Sequence, residues 1–311
     1  MIIITDDPSY ALETLRSPLH FNPLSDRKTD QQITSLSGLF FPAGDLYYSN
    51  TGSDSLFSSL FIRRHAQVSQ FDLLADAGSY RSDSQQNIVC FAGSGDKFHG
   101  FHQRKWLSLQ GNIHLSMSLF PGRKIEKPSA AFLILAANAV VQTIDSLGQL
   151  SGLAGIHWIN DIVISGLKTG GVLCRTQMRG DITEHVILGI GLNVHRSPQI
   201  VFDPCIRGAT NINQHVSGRP PYQISEIFWV LLGNLERNYR QLLNQGYRQL
   251  LNYYIEHSVL PGKNVAVFSD SQEGHSEKIG EGRVAGINED LELLVGGFKE
   301  PLRKGRVRLI D

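Results

Sequence analysis

Two stretches of this chain hold the residues whose types and spacing could do chemistry. In Gly155-Ile-His-Trp-Ile-Asn-Asp-Ile-Val-Ile-Ser-Gly-Leu-Lys-Thr-Gly-Gly-Val-Leu173, the polar pair Asn160 and Asp161 interrupts an otherwise apolar strand, and a lone Lys168 stands just before the double glycine Gly170-Gly171. Glycines lacking a Cβ let a ligand approach the backbone, which would place the lysine cation beside it. The same spacing suits a hairpin with a solvated lysine and a hydrogen-bonded turn, and the residues alone leave both readings open. The second stretch begins with Ile88-Val-Cys-Phe91, a buried strand by its apolar run, and opens into the glycine-rich loop Gly93-Ser-Gly-Asp-Lys-Phe-His-Gly100. Loops leaving strand ends are where sites usually sit.

Elements on either side must position these residues. Residues 1–43 mix Asp, Ser, Pro and Gln with isolated apolar positions and read as an N-terminal extension. From residue 44 the pattern sharpens: a strand over Asp45–Tyr48, a polar turn over 49–53, and a helix over Asp54–Arg64 with Leu56, Phe57, Leu60 and Phe61 at helical spacing. Residues 62–86 read as an insertion. Asn112–Leu119 alternates like a strand, and Ser129 caps a nearly all-apolar, hence buried, helix reaching about Leu147. Strands follow over Ile156–Ser165, Lys168–Cys174 and His185–Val194, then an amphipathic helix over Ser225–Asn244 and a shorter one to about His257. After Pro261-Gly262, short strands separated by turns suggest a small barrel over 261–311. The fold class is therefore α+β, a mixed and largely antiparallel sheet flanked by helices, with a small C-terminal barrel.

Composition narrows the function. The 311 residues carry 29 Lys+Arg against 29 Asp+Glu, so no global basic field draws the chain to nucleic acid or to an anionic membrane. Residues 1–43 hold no helix-turn-helix pattern of the kind a repressor would use. Cys90, Cys174 and Cys205 form no CxxC pair, which argues against a zinc site or disulfide framework. With no positively charged leader at the start, a cytoplasmic location is expected. The apolar run Ala130–Val141 is shorter than the roughly 20 residues a bilayer span needs.

Four stretches in order resemble the biotin protein ligases, also called holocarboxylase synthetases. His157-Trp-Ile-Asn-Asp161 is similar to the family's Lys-Trp-Pro-Asn-Asp, and Gly166-Leu-Lys-Thr-Gly-Gly171 to its Gly-Lys-Lys-x-Gly-Gly turn. Arg104-Lys-Trp-Leu-Ser108 leading to Gly111-Asn-Ile-His-Leu-Ser116, and Gly189-Ile-Gly-Leu-Asn-Val194, resemble two more family patterns. Ala209-Thr-Asn-Ile212 and the SH3-like pattern around Gly286-Ile-Asn-Glu-Asp290 extend the likeness over residues 45–311.

The resemblance implies an enzyme that joins biotin to ATP as biotinyl-5'-AMP and then transfers biotin to a lysine of a biotin carboxyl-carrier domain. It implies Lys168 and Arg104 as catalytic cations and Mg²⁺ accompanying ATP. Biotin is expected against Trp106, Asn50, Thr51, Gly170 and Gly171; ATP is expected against Gly93, Gly95, Lys97, Lys105, Asn160, Asp161 and Asn193. Asn50 and Thr51 also suit an ordinary helix cap. The family loop Gly-Arg-Gly-Arg-x-Gly-Arg-x-Trp corresponds here to 93–106, which keeps its glycines, Arg104 and Trp106 but has His99 and Phe101 where inner arginines stand. That loop is expected to move, closing over the adenylate. Two alternatives remain: a lipoate- or octanoate-type protein ligase, and a catalytically weak biotin-binding relative.

Overall fold

The computed structural model describes residues 1–27, 31–52, 55–77, 86–199, 205, 207–270 and 277–310. In chain order the elements begin with β1 (Ile2–Thr5), α1 (Pro8–Leu15), β2 (Asn22–Pro23), α2 (Gln31–Phe40), β3 (Tyr47–Asn50), β4 (Ser59–Ala66), α3 (Gln70–Ala77), β5 (Ile88–Gly95) and β6 (Ile113–Leu119). There follow α4 (Pro128–Asp145), β7 (Ala154–His157), β8 (Asp161–Ile164), β9 (Leu167–Arg179), β10 (Ile182–Leu192), α5 (Ile224–Gln245) and α6 (Tyr247–Glu256). The chain closes with β11 (Asn264–Phe268), β12 (Lys278–Ile287), β13 (Leu293–Val295) and β14 (Arg306–Leu309).

Ten strands form one sheet in the order β2-β3-β1-β4-β5-β6-β10-β9-β8-β7. The pairs β1/β4 and β4/β5 are parallel and the rest antiparallel. Strands β11–β14 make a separate four-stranded antiparallel sheet, ordered β13-β12-β11-β14. Fold class and the C-terminal β unit agree with the sequence.

Three local readings are corrected. Residues 1–43 are no appendage: β1 lies between β3 and β4, with Ile3 and Ile4 fully buried. Four apolar residues in a row were too short a signal to identify a central strand. The helix expected over Asp54–Arg64 is instead strand β4 over its described second half, while Ser53 and Asp54 lie outside the described residues. Leu60, Phe61 and Ile62 are all fully buried, and a strand covered on both faces loses the alternation that would have marked it. The single strand read over Ile156–Ser165 is two, β7 and β8, turning back at Trp158–Asn160. Residues 78–85 of the expected insertion lie outside the described residues; its earlier part forms β4 and α3.

Helix α4 fills the core on one sheet face. Ala131, Phe132, Leu135, Val140 and Ile144 are buried there, and its one interior amide, Asn138, donates to the Leu250 carbonyl of α6 at 2.9 Å. It is long and apolar enough to cross a membrane, yet 67% of its most apolar window is buried within the protein. Ser129 lies inside the helix; Pro128 takes the first turn, where its missing N–H costs nothing, and Lys127 is the cap residue.

Strand periodicity then builds the opposite face. On β10, Val186, Leu188, Ile190 and Leu192 join the α4 core, whereas Ile187 packs in the smaller cluster with Leu74 of α3. Alternate positions after Ile187 are Gly189 and Gly191, so side chains vanish from that face. On β6, Ile113, Leu115 and Met117 face α4, leaving His114 and Ser116 to the other side. The result is a hollow in the sheet surface beside α3.

Candidate active site

That hollow is a cavity of 630 Å³, floored by β6, β8, β9 and β10, walled by the start of α3 and by residues 98–107, and bordered by Asp270 and residues 303–307 of the C-terminal unit. Lys168, Trp106, Asp161 and Asn193 all line it.

Lys168 is aimed by an irregularity. Along β8/β9, Ile162 pairs with Gly170 but Val163 pairs with Lys168, leaving an extra residue on β9. Such a bulge redirects the neighbouring side chain. The backbone is pinned on its free side, Lys168 N–H donating to the Gly208 carbonyl (2.9 Å) and Thr210 N–H to the Lys168 carbonyl (2.9 Å). The ammonium lies 2.6 Å from Asp161 Oδ1 and 5.8 Å from the Trp106 ring centroid.

Trp106 packs flat against β10, and a Cβ on Gly191 would collide with the indole. Its Nε1–H donates to His114 Nδ1 at 3.3 Å, while His114 Nε2 lies 3.3 Å from the Leu109 carbonyl. This pairing requires neutral His114 with its proton on Nε2. Burial lowers its pKa from 6.5 to about 4, against a smaller raising effect of the Leu109 carbonyl.

Asn193, fully buried, donates to the Thr210 carbonyl (3.1 Å) and accepts from Asn112 Nδ2 (3.2 Å). Asn112 Oδ1 in turn accepts from the backbone N–H groups of Val194, His195 and Arg196. Asn160 Nδ2 donates to the Val172 carbonyl (2.8 Å), closing the turn before β8. These amides fix the backbone around the cavity rim. Arg104 Nε donates to the Phe101 carbonyl (3.0 Å), with Nη1 3.8 Å from Asp270.

The sequence model of the biotin/lipoate A/B protein ligase family matches residues 81–193, the stretch that carries Trp106, Asp161, Lys168 and Asn193. The bifunctional ligase/repressor BirA of Bacillus subtilis is 32% identical over 167 residues, 53% of this chain and 50% of its own length. The biotin–[acetyl-CoA-carboxylase] ligase of Paracoccus denitrificans is 26% identical over 216 residues, covering 67% and 81%. The chain spans about half the length of the Bacillus relatives it matches. Among solved structures, the biotin protein ligase of Aquifex aeolicus, in complex with biotin and ATP, superposes with TM-score 0.59 at 19% identity over 82% of this chain and 99% of that one. That likeness establishes the fold. The motif resemblance to the biotin protein ligases is borne out by these matches.

Within the matched stretch, Arg104, Lys105, Trp106, Asn160, Asp161, Lys168, Gly171 and Asn193 all meet at the one cavity. Six others do not line it. Asn50 and Thr51 end β3, with β1, β4 and β5 between them and β6; Asn50 pairs with Ile2 and Thr51 N–H donates to the Met1 carbonyl. Gly93 and Gly95 answer to packing: a Cβ on Gly93 would strike the Tyr10 hydroxyl of α1, and one on Gly95 the Phe98 ring. Lys97 is exposed with φ 52°, and Gly170 is buried beneath the Gly191 carbonyl.

Two cavity residues that the sequence did not single out are Ser69 and Phe71, with Gln70 between them. Ser69 and Phe71 line the cavity at the start of α3, and Phe71 lies 3.0 Å from where a Gly189 Cβ would be. Gln70 is 2% exposed, and neither its amide N nor its O has a partner among the described residues. The signal was present in Val68-Ser-Gln-Phe-Asp72, a polar cap ahead of an apolar helical stripe. It was hidden by reading the preceding strand as the helix.

Proposed function

We propose that this chain is a biotin–protein ligase, which activates biotin with ATP and transfers it to a lysine of a carboxylase's biotin carboxyl-carrier domain. The observation that carries the reading is Lys168 Nζ facing the Trp106 indole at 5.8 Å over a floor made bare by Gly189 and Gly191. Biotin is mostly apolar with one amide-like ring, and a pocket of aromatic walls with a few buried polar groups suits it. Phe71 and Trp106 supply the walls and Ser69 a hydroxyl for the ring, with the buried, unpartnered Gln70 amide next to it in the chain.

In the first step a biotin carboxylate oxygen attacks the α-phosphorus of ATP and the bond to pyrophosphate breaks. In the second, the acceptor amine attacks the acyl carbon, AMP leaves with the anhydride oxygen, and the nitrogen loses a proton. Negative charge builds on phosphate oxygens in both steps, and Lys168, held by Asp161, is a cation already in place for it. Among the described residues no three His, Cys, Asp or Glu side chains converge as a metal cage, which suits a Mg²⁺ ion carried on the triphosphate, where it neutralises charge.

The test is incubation with biotin, Mg·ATP and a carrier domain beside a Lys168→Ala control, reading the acceptor's mass. A biotin-sized gain that the control loses is expected. A lipoyl or octanoyl gain from the corresponding acid, with none from biotin, would overturn the substrate; no gain with biotin still bound would mark a binding relative, the outcome that the loop's missing inner arginines favour.

A further inference from the structure

Residues 98–106 form a short hairpin: Gly100 N–H donates to the Arg104 carbonyl (2.7 Å) and Trp106 N–H to the Phe98 carbonyl (2.9 Å). At its tip His102 and Gln103 both have positive φ, 54° and 58°. Non-glycine residues keep that conformation only where their surroundings enforce it.

Two carboxylates from opposite sides do the enforcing. His99 Nε2 is 2.9 and 3.1 Å from the carboxylate oxygens of Asp72, in the first turn of α3, and its Nδ1 is 3.0 Å from the Gly100 carbonyl. His102 Nε2 is 2.7 Å from Asp270 Oδ2, two residues beyond β11 in the C-terminal unit, and Arg104 Nη1 approaches the other oxygen at 3.8 Å. The Asp270 side chain is only 7% exposed. A carboxylate is buried to that degree only against partners that compensate its lost hydration.

We propose that Asp72 and Asp270 are positioning residues that staple the 98–106 hairpin to both flanks of the cavity, so that the C-terminal unit sets where Trp106 stands and how tightly the site holds its ligand. Trp106 is the last rung of the hairpin, hydrogen-bonded next to His99, and its indole must lie within contact of Gly191 to wall the cavity. A hairpin released at either flank carries the indole off that floor. The staple itself is independent of the ligase reading; only the choice of biotin as probe rests on it.

The experiment uses the full chain and compares Asp270→Asn, His102→Ala, Asp72→Asn and the pair His102→Ala/Asp270→Asn. It reads tryptic cleavage after Arg104 and Lys105, biotin affinity by calorimetry, and the melting temperature. Each single change is expected to speed cleavage roughly tenfold, the size of one lost charge-assisted hydrogen bond, and to weaken biotin binding while the melting temperature holds. The pair is no worse than its worse member, because both changes remove one contact, and His102→Gln, whose side-chain amide can still donate to Asp270 without adding a tryptic site, keeps cleavage slow. His102 is half-exposed, so its variant reports on the contact even where Asp270→Asn unfolds the C-terminal unit. Wild-type cleavage in His102→Ala and Asp72→Asn, or additive effects in the pair, would overturn the staple. Absence of biotin binding in the wild type would count against the ligase reading, and the cleavage order would still decide the staple.

Discussion

The indole N–H of Trp106 and the Nδ1 of His114 are joined by a 3.3 Å hydrogen bond beneath the cavity wall, and this bond holds only while the imidazole is neutral. Because burial lowers the His114 pKa from 6.5 to about 4, the folded protein refuses a proton that the unfolded chain takes up. His114 therefore costs nothing above pH 6.5 and destabilises progressively as pH falls from 6.5 towards 4, by roughly 3 kcal/mol at the lower limit. Thermal melts across that range should show the loss, and His114→Gln should flatten it by that residue's share, the remainder shared by His185, which burial also lowers to about 4, and by His157, His195 and His215, which burial lowers as well. A melt profile unchanged by His114→Gln would contradict this account.

Lys168→Ala removes the cation over which charge develops. Loss of one such group typically costs on the order of a hundredfold or more in rate, so pyrophosphate release should fall by at least that factor while biotin binding without ATP changes little. A variant that keeps wild-type turnover would remove Lys168 from the chemistry.

Gln70 stands between Ser69 and Phe71, which line the cavity, and tests whether its amide reaches the ligand. Its amide is buried with neither atom partnered among the described residues, a condition that costs about 1–3 kcal/mol in a folded protein. Gln70→Leu should raise the melting temperature of the ligand-free protein and lower biotin affinity together. If stability rises and affinity holds, the amide is not a ligand contact.

Gly191→Ala sets a methyl group against the Trp106 indole. Calorimetry should register biotin affinity at least several-fold weaker, with secondary structure by circular dichroism unchanged. Its counterpart is Asn50→Ala/Thr51→Ala, remote on β3 across β1, β4 and β5, which should bind biotin as the wild type does; weakened binding there would reinstate those residues in the site.

Much of the site was legible in the chain because its residues lie close in sequence on adjoining strands. Asp161, Lys168 and Gly171 fall within one hairpin, where spacing alone suggested a cation beside bare backbone but left a solvated lysine open; the resemblance to the biotin protein ligases added Asn193, just past the neighbouring strand. Strand β4 was missed because a strand buried on both faces shows no alternation, and that error hid the cavity-lining start of α3 at Ser69 and Phe71. Gly93 and Gly95 show a related limit: a glycine in sequence announces close approach, but not whether a ligand or, as here, Tyr10 and Phe98 is what approaches.

By itself the sequence determined the α+β class and the C-terminal run of short strands, which rest on periodicity; the grouping of Trp106 with Lys168, 62 residues apart, rested on the resemblance to the biotin protein ligases. Tertiary structure alone decided that Ile2–Thr5 is a central strand, that His114 orients Trp106, and that Asp72 and Asp270 grip the same hairpin. Asp270 is more than 160 residues from His102 in the chain. Their meeting is fixed by how the small sheet packs beside the large one, and no local spacing encodes that.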